Sequence, residues 1–269
     1  MGGYAVLYAI AKLNGWKAYV HPTMHFRLSP YFKITMPILE DAVASIPWRI
    51  YQLEDCLLDR YTDIDYPYVV LQGYPNSWTF YHYVRSEILQ EFTFHRHLKD
   101  SAWRTLDVLR GERANPTYVG VHVRRTDYVQ IIEEDFNGVV ADQEYFKKAM
   151  AYFRLRYSGP LFVVVSDDMD WCRENIDTSH GDVYFAGEGL YSSPGRDLAL
   201  LAHCNHTIMT YGTFGYWAGY LAGGEVVYVD IFTLPHSPLL ERSRRYARYL
   251  PGWVGIGANV SSLRSRHQR

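Results

Sequence analysis

Between residues 117 and 229, short runs that are apolar at nearly every position alternate with segments of helical periodicity. Residues 117–124 (TYVGVHVR), 161–166 (LFVVVS), 182–186, 206–210 and 225–229 read as strands. Residues 142–157, 168–175, 194–203 and 213–221 read as helices; in the first of these Phe146, Ala149, Met150 and Phe153 share a face. A strand without a polar face cannot turn a side to water. Such strands, separated by helices, build a parallel sheet covered on both faces. In sheets of that kind ligands collect at the carboxyl ends of the strands.

The first half is less regular. Tyr4, Leu7, Tyr8 and Ala11 recur at helical spacing and predict a buried helix over residues 3–14, ending at Asn14-Gly15. A second helix is expected over 79–92 and a strand over 68–72. The polar stretch 109–116 (LRGERANP) carries Gly and Pro and predicts a boundary, giving domains 1–115 and 116–269. Two α/β halves facing across a cleft is the expected architecture.

Composition removes several functional classes. Apolar residues at 48% and charged residues at 21% are those of an ordinary globular chain, and a net charge of -2 provides no basic excess for nucleic acid. The arginines at 242, 244, 245, 248, 264, 266 and 269 read as a solvated tail. Cys56, Cys172 and Cys204 have no zinc spacing, leaving room for one disulfide and one free thiol. Asn205-His206-Thr207 and Asn259-Val260-Ser261 are glycosylation triplets, compatible with a secretory route. No stretch is long and apolar enough to span a bilayer. Aromatic residues reach 16%, which suits sugar binding and also suits a core.

Three strand ends carry chemistry. Alternation along 117–124 puts Val119, Val121 and Val123 on one face and Gly120, His122 and Arg124 on the other. Arg124, Arg125 and Asp127 then gather at the strand's end. A guanidinium fork grips phosphate through paired charge-assisted bonds. After residues 206–210 comes a Tyr211-Gly212 turn, with Thr213 as the expected cap of the next helix. The amides of that helix start suit phosphate, Thr210 and Thr213 add hydroxyls, and Phe214 can stack on a base. At the third strand end, Asp168 and Asp170 form a DxD. Their position opens a helix, where carboxylates complement the dipole, so we read them as helix-start residues and expect no metal. Asp127, Glu133, Glu134 and Asp142 are candidate bases by proximity in sequence.

HVRRTD (122–127), VVSDD (164–168) and RDLALLAHCNHTIMTYGTFGYWA resemble the successive motifs of the α1,2/α1,6/protein O-fucosyltransferase superfamily. GYPNSWTFYH (73–82), RSEILQEFTFH (85–95), GVVAD (138–142) and WCRENIDTSHGDVYFAGEG (171–189) resemble its animal galactoside α1,2 branch. The resemblance implies a GT-B-like fold of two Rossmann-like domains. The first would be an acceptor-side domain and the second a GDP-fucose-binding one. It implies GDP-β-L-fucose as donor, no required metal, and inverting transfer to O2 of a terminal galactose on glycoprotein or glycolipid glycans. By this likeness Arg124 is catalytic, gripping the diphosphate; among the four candidate bases Asp127 is the first choice, with an ion pair to an arginine as its alternative role. His122, Arg124, Arg125, Asp197, Thr210, Thr213 and Phe214 bind donor, and Tyr74 and Trp78 bind acceptor. The family's glycine-rich loop precedes the first helix, and this chain opens at its methionine. The first domain is therefore expected to be incomplete at its start; the resemblance implies a Golgi membrane with a lumenal catalytic domain, and the anchor and stem that come earlier in the family are not in this sequence.

Overall fold

The computed structural model describes residues 1–40, 43, 45–53, 61–62, 64–73, 77–187, 193–234, 237, 249–261 and 263, and the elements below are those found among them. They fall into two compact units, Met1–His95 with Ser243–Leu250, and Arg96–Arg242 with Pro251–Arg269.

In the first unit, α1 (Gly2–Leu13) buries Tyr4, Ala9 and Ile10. A short α2 (Pro22–Leu28) starts on the His21 cap with proline at its first position. Strands β1 (Arg49–Gln52) and β2 (Val69–Gln72) pair in parallel. The helix expected over 79–92 is broken. Two 3₁₀ turns, Trp78–Phe80 and His82–Val84, precede α3 (Arg85–Glu91). The run WTFYHYV is rich in residues that lose χ1 freedom in an α-helix. Ser77 accepts the Thr79 N–H at 3.3 Å, and Tyr81 leaves helical geometry at φ -132°. Glu91 is buried at the base of this unit, where Tyr4 donates its hydroxyl and Thr35 its N–H.

The second unit begins with α4 (Arg96–Arg110), so the division falls before the 109–116 stretch. The reason lies in α4's amphipathic face. Leu98, Ala102 and Leu106 are buried, and the helix packs on a later helix of its own unit. The polar stretch serves only as the turn into the sheet, with Gly111 at φ +55°.

That sheet holds β3 (Tyr118–Val123), β4 (Leu161–Ser166), β5 (Val183–Phe185), β6 (His206–Met209), β7 (Val226–Val229) and β8 (Val254–Ile256). Between β3 and β4 lie α5 (Thr126–Gln130), a π turn (Ile131–Asp135) and α6 (Gln143–Arg154). α7 (Met169–Asn175), α8 (Pro194–Ala202) and α9 (Gly212–Ala222) join the later strands. The strand order is β5-β4-β3-β6-β7-β8, and each neighbouring pair is parallel. This is a doubly wound sheet: the chain runs outward from β3, returns to β6 beside it, and runs outward the other way. The carboxyl ends of β3 and β6 therefore flank the point where the winding reverses, which is where such sheets open a crevice.

The alternation expected along β3 holds. Val119, Val121 and Val123 pack with Phe146, Ala149, Phe153 and Cys172 of α6 and α7. Gly120 and His122 face α8 and α9. A Cβ on Gly120 would lie 2.9 Å from Leu201 Cδ2, so the absent side chain lets α8 approach the strand. Every residue of β3 and β4 is buried. Cys172 and Cys204 are buried free thiols, and Cys56 lies outside the described residues. The arginines of the tail also lie outside them.

Candidate active site

The crevice between the ends of β3 and β6 is an open cleft of about 390 Å³. His122, Arg124, Asp167, Asp197, Thr213 and Phe214 all contribute to its lining. Five of these were marked in the sequence as nucleotide-binding candidates; Asp167 was not.

Arg124 is the first residue beyond β3. Its Nη1 lies 2.9 Å from Asp167 Oδ2 and its Nη2 2.6 Å from Asp127 Oδ1. The two partners differ in kind. Asp127 is about half exposed, whereas the Asp167 side chain is 12% exposed. Asp167 is also a junction for the whole turn. Its Oδ1 accepts the Arg125 N–H at 2.9 Å and its Oδ2 the Thr126 hydroxyl at 2.5 Å. Thr210, fully buried at the end of β6, accepts the Arg124 N–H at 2.9 Å. Its hydroxyl thus fastens β6 to β3 and does not line the cleft.

His122 sits beneath the first turn of α9. A Cβ on Gly215 would fall 2.6 Å from His122 Nδ1, so glycine is what allows helix and imidazole to touch. Phe214 stacks on the ring at 5.2 Å between centroids and 27° between planes. Burial holds the imidazole neutral, its pKa pushed down to about 4. Its Nδ1 has no hydrogen-bond partner among the described residues.

The start of α9 departs from expectation. The helix opens at Gly212, at φ +86°, with Tyr211 in the cap position and no side-chain cap. Thr213 lies inside the first turn and is exposed. Gly212 supplies the positive φ at which the chain enters the helix, a conformation β-branched residues rarely adopt. Among the described residues no side chain caps the start of α9 beside the cleft, and the amides of its first turn face a ligand there. Tyr128, which was not anticipated, closes one wall. It stands on α5, with the Arg124 guanidinium 5.4 Å from its ring, and it stacks on Tyr211.

Arg125 is a correction. It does not line this cleft. Adjacent side chains diverge as the chain leaves the strand, and Arg125 lays its guanidinium on the Trp171 ring at 3.8 Å. Asp168 approaches its Nε at 3.8 Å. Asp168 also caps α7, accepting the Trp171 N–H at 3.2 Å, and Asp170 pairs with Arg173 on the surface. Of the carboxylates proposed as bases, Asp142 caps α6 through the Tyr145 N–H at 3.0 Å. Glu133 and Glu134 are exposed, and Glu134 takes a bond from Gln130. None of these three lines the cleft; Asp127, through Arg124, stands at its rim.

In the first unit Trp78 is half-buried in a 3₁₀ turn, its Nε1 donating to the Tyr249 carbonyl at 2.8 Å. Tyr74 lies outside the described residues.

Residues 1–257 match the family described as Glycosyl transferase family 11. Galactoside alpha-(1,2)-fucosyltransferase 2 of Bos taurus is 55% identical over 98% of this chain and 77% of its own length. Galactoside 2-alpha-L-fucosyltransferase SEC1 of Bos taurus is 53% identical over 99% and 73%. Galactoside alpha-(1,2)-fucosyltransferase 1 of Rattus norvegicus is 51% identical over 99% and 72%. Among solved structures, POFUT1 in complex with GDP aligns at 15% identity and a TM-score of 0.41, over 61% of this chain and 54% of that one.

Proposed function

The chain belongs to glycosyl transferase family 11, and from that premise we propose that it transfers L-fucose from GDP-β-L-fucose to O2 of a terminal galactose, with inversion. The observation that carries this reading is Arg124. It stands at the winding reversal of a parallel sheet, opposite the uncapped start of α9. The diphosphate would lie between the two.

Loss of GDP develops negative charge on the β-phosphate. A guanidinium already held in place stabilises that charge more in the transition state than before it. Asp167, largely buried, keeps Arg124 oriented, and the exposed Asp127 contact is the one a phosphate displaces. The amides of α9 and the Thr213 hydroxyl add donors to the same anion. These cationic and dipolar groups do the work for which other transferases use a divalent ion, so no metal is required. His122 stays neutral and, with Phe214, forms a flat wall suited to the nucleoside. Asp197, in the first turn of α8, lines the same cleft and faces the ribose or base.

The acceptor hydroxyl must lose its proton as the bond to fucose forms. Asp127 is the carboxylate nearest Arg124 on the open side, and once phosphate takes its place it is available as base. We assign the second unit to the donor and the first to the acceptor, with Tyr74 and Trp78 contributing to galactose recognition. The acceptors are glycans of glycoproteins or glycolipids, met in the Golgi lumen.

The test is incubation with labelled GDP-fucose and a terminal β-galactoside, followed by linkage analysis of the product. An α1,2 linkage is expected. An α1,6 linkage, or GDP binding without turnover, would overturn the proposal.

A further inference from the structure

On the far side of the Arg124-Arg125 turn lies a second hollow, of about 490 Å³, within the size range of small-ligand clefts. Arg125, Asp142, Gln143, Glu144, Trp171 and Asn175 line it. Its position follows from the topology. Arg125 leaves the end of β3, Asp142 caps α6, and Trp171 stands in the first turn of α7, so the hollow opens at the same edge of the sheet as the donor cleft.

Three features bear on what it holds. The Arg125 side chain is 14% exposed, yet its Nε has no hydrogen-bond partner among the described residues, and Nη1 reaches the Ala141 carbonyl only at 3.5 Å. Asp168 balances its charge from 3.8 Å, beyond hydrogen-bonding reach, and Trp171 covers one face, so a guanidinium with five donors is poorly satisfied for its burial. The wall beside it is prearranged: Gln143 Nε2 donates to Asn175 Oδ1 at 2.8 Å, and Asn175 Nδ2 donates to the Trp171 carbonyl at 2.9 Å. The Gln143 carbonyl oxygen remains an acceptor. Finally, the lining sets one cation against two carboxylates, Asp142 and Glu144.

That charge balance disfavours an anion, and the Arg125 guanidinium in the wall, with Asp168 3.8 Å from its Nε, disfavours a cation beside it. A neutral polyol satisfies all of it: hydroxyls accept from Arg125 and donate to carboxylates and amide oxygens, while the indole offers apolar surface. Resting on the transfer reaction proposed above, we infer that this hollow is a saccharide subsite for the sugars of the acceptor glycan that follow the reacting galactose. Arg125 directly follows Arg124, so one turn at the end of β3 contributes a wall to both the hollow and the donor cleft.

The experiment compares KM for methyl β-galactoside with KM for a neutral tetrasaccharide ending in β-galactose. In Gln143→Ala the ratio of tetrasaccharide KM to methyl galactoside KM is expected to rise by about fivefold over the wild type, the worth of one neutral hydrogen bond. Gln143 is exposed, so its loss leaves folding intact. Trp171→Ala should raise the ratio further, but it also removes the support of Arg125. Saturation-transfer NMR with the tetrasaccharide alone gives a readout independent of turnover, since the signals of the inner sugars should weaken in Gln143→Ala. An unchanged KM ratio with unchanged inner-sugar signals would overturn the subsite. Strong inner-sugar signals that depend on Gln143, with no turnover on any galactoside, would uphold the subsite and sink the transfer reaction.

Discussion

Asp167 and Arg124 meet across the ends of adjacent parallel strands, Oδ2 2.9 Å from Nη1, and the same carboxylate holds the Arg125 N–H and the Thr126 hydroxyl. One side chain therefore orients the guanidinium and ties down the turn that carries it. The geometry makes Arg124 a prearranged cation, which is what stabilisation of a leaving diphosphate requires.

Removing that cation should remove transfer. Arg124→Ala is expected to lower kcat by about a hundredfold or more, since one such transition-state contact is worth ~3 kcal/mol. Arg124→Lys should recover only part of it, because an ammonium cannot reproduce the fork. Steady-state kinetics on purified variants check this, and near-normal turnover in the alanine variant would take Arg124 out of the mechanism.

Asp167→Asn keeps the shape of the junction and removes its charge. It should lower kcat/KM for the donor by about tenfold, the value of one charge-assisted hydrogen bond. Asp127→Asn should act differently. If Asp127 is the base, transfer falls by about a hundredfold, while GDP affinity measured by calorimetry stays close to wild type. Tighter GDP binding with intact turnover would reduce Asp127 to a placeholder for phosphate.

His122 makes stability depend on pH. Its folded value, about 4, lies below the ordinary 6.5 because the ring is buried, so between those values the unfolded chain holds the extra proton. Its contribution is complete above pH 6.5 and is lost as pH falls towards 4, by about 3 kcal/mol on full descent. His203 and His206 are also lowered by burial and act in the same direction. Thermal melts of His122→Phe between pH 7 and pH 4.5 should show a flatter decline than the wild type. A parallel decline would place the titration elsewhere.

Gly215→Ala and Gly120→Ala separate two close approaches to the same strand. At Gly215 the added carbon meets His122 at 2.6 Å and Met209 Cβ at 3.0 Å, both in a rigid setting. It should cost about 1–3 kcal/mol and weaken GDP binding by displacing the start of α9. At Gly120 the nearest atom is the far end of Leu201, which can swing, so the cost is smaller and GDP affinity changes less. Denaturant melts with GDP titration would detect the difference, and equal effects on affinity would dissociate α9 from the nucleotide.

Chelation provides a last check. With Arg124 and the α9 amides supplying positive charge, EDTA should leave GDP binding and transfer unchanged. Loss of binding on chelation, restored by Mn²⁺ or Mg²⁺, would reopen the role of Asp168 and Asp170.

The alternating run from β3 to β7 was legible in the sequence because its strands are apolar on both faces and its helices on one, a pattern local to each segment. The same alternation assigned His122 and Arg124 to one side of β3, and the structure keeps them there. The sequence alone thus determined a parallel sheet with His122, Arg124 and the 211–214 turn gathered at its strand ends. Tertiary structure decided the rest. Thr79 to Phe92 carried a helical pattern that aromatic crowding broke into turns. The helix Arg96–Arg110 joined the second unit because its apolar face matched α8, a partner distant in sequence. Arg124 and Arg125 are chemically identical neighbours, and only packing against Asp167 on one side and Trp171 on the other tells them apart. Periodicity reports which face of a segment is buried; it carries no information about which distant side chain will meet it, and that meeting is what made one arginine a candidate for catalysis and the other the wall of a second hollow.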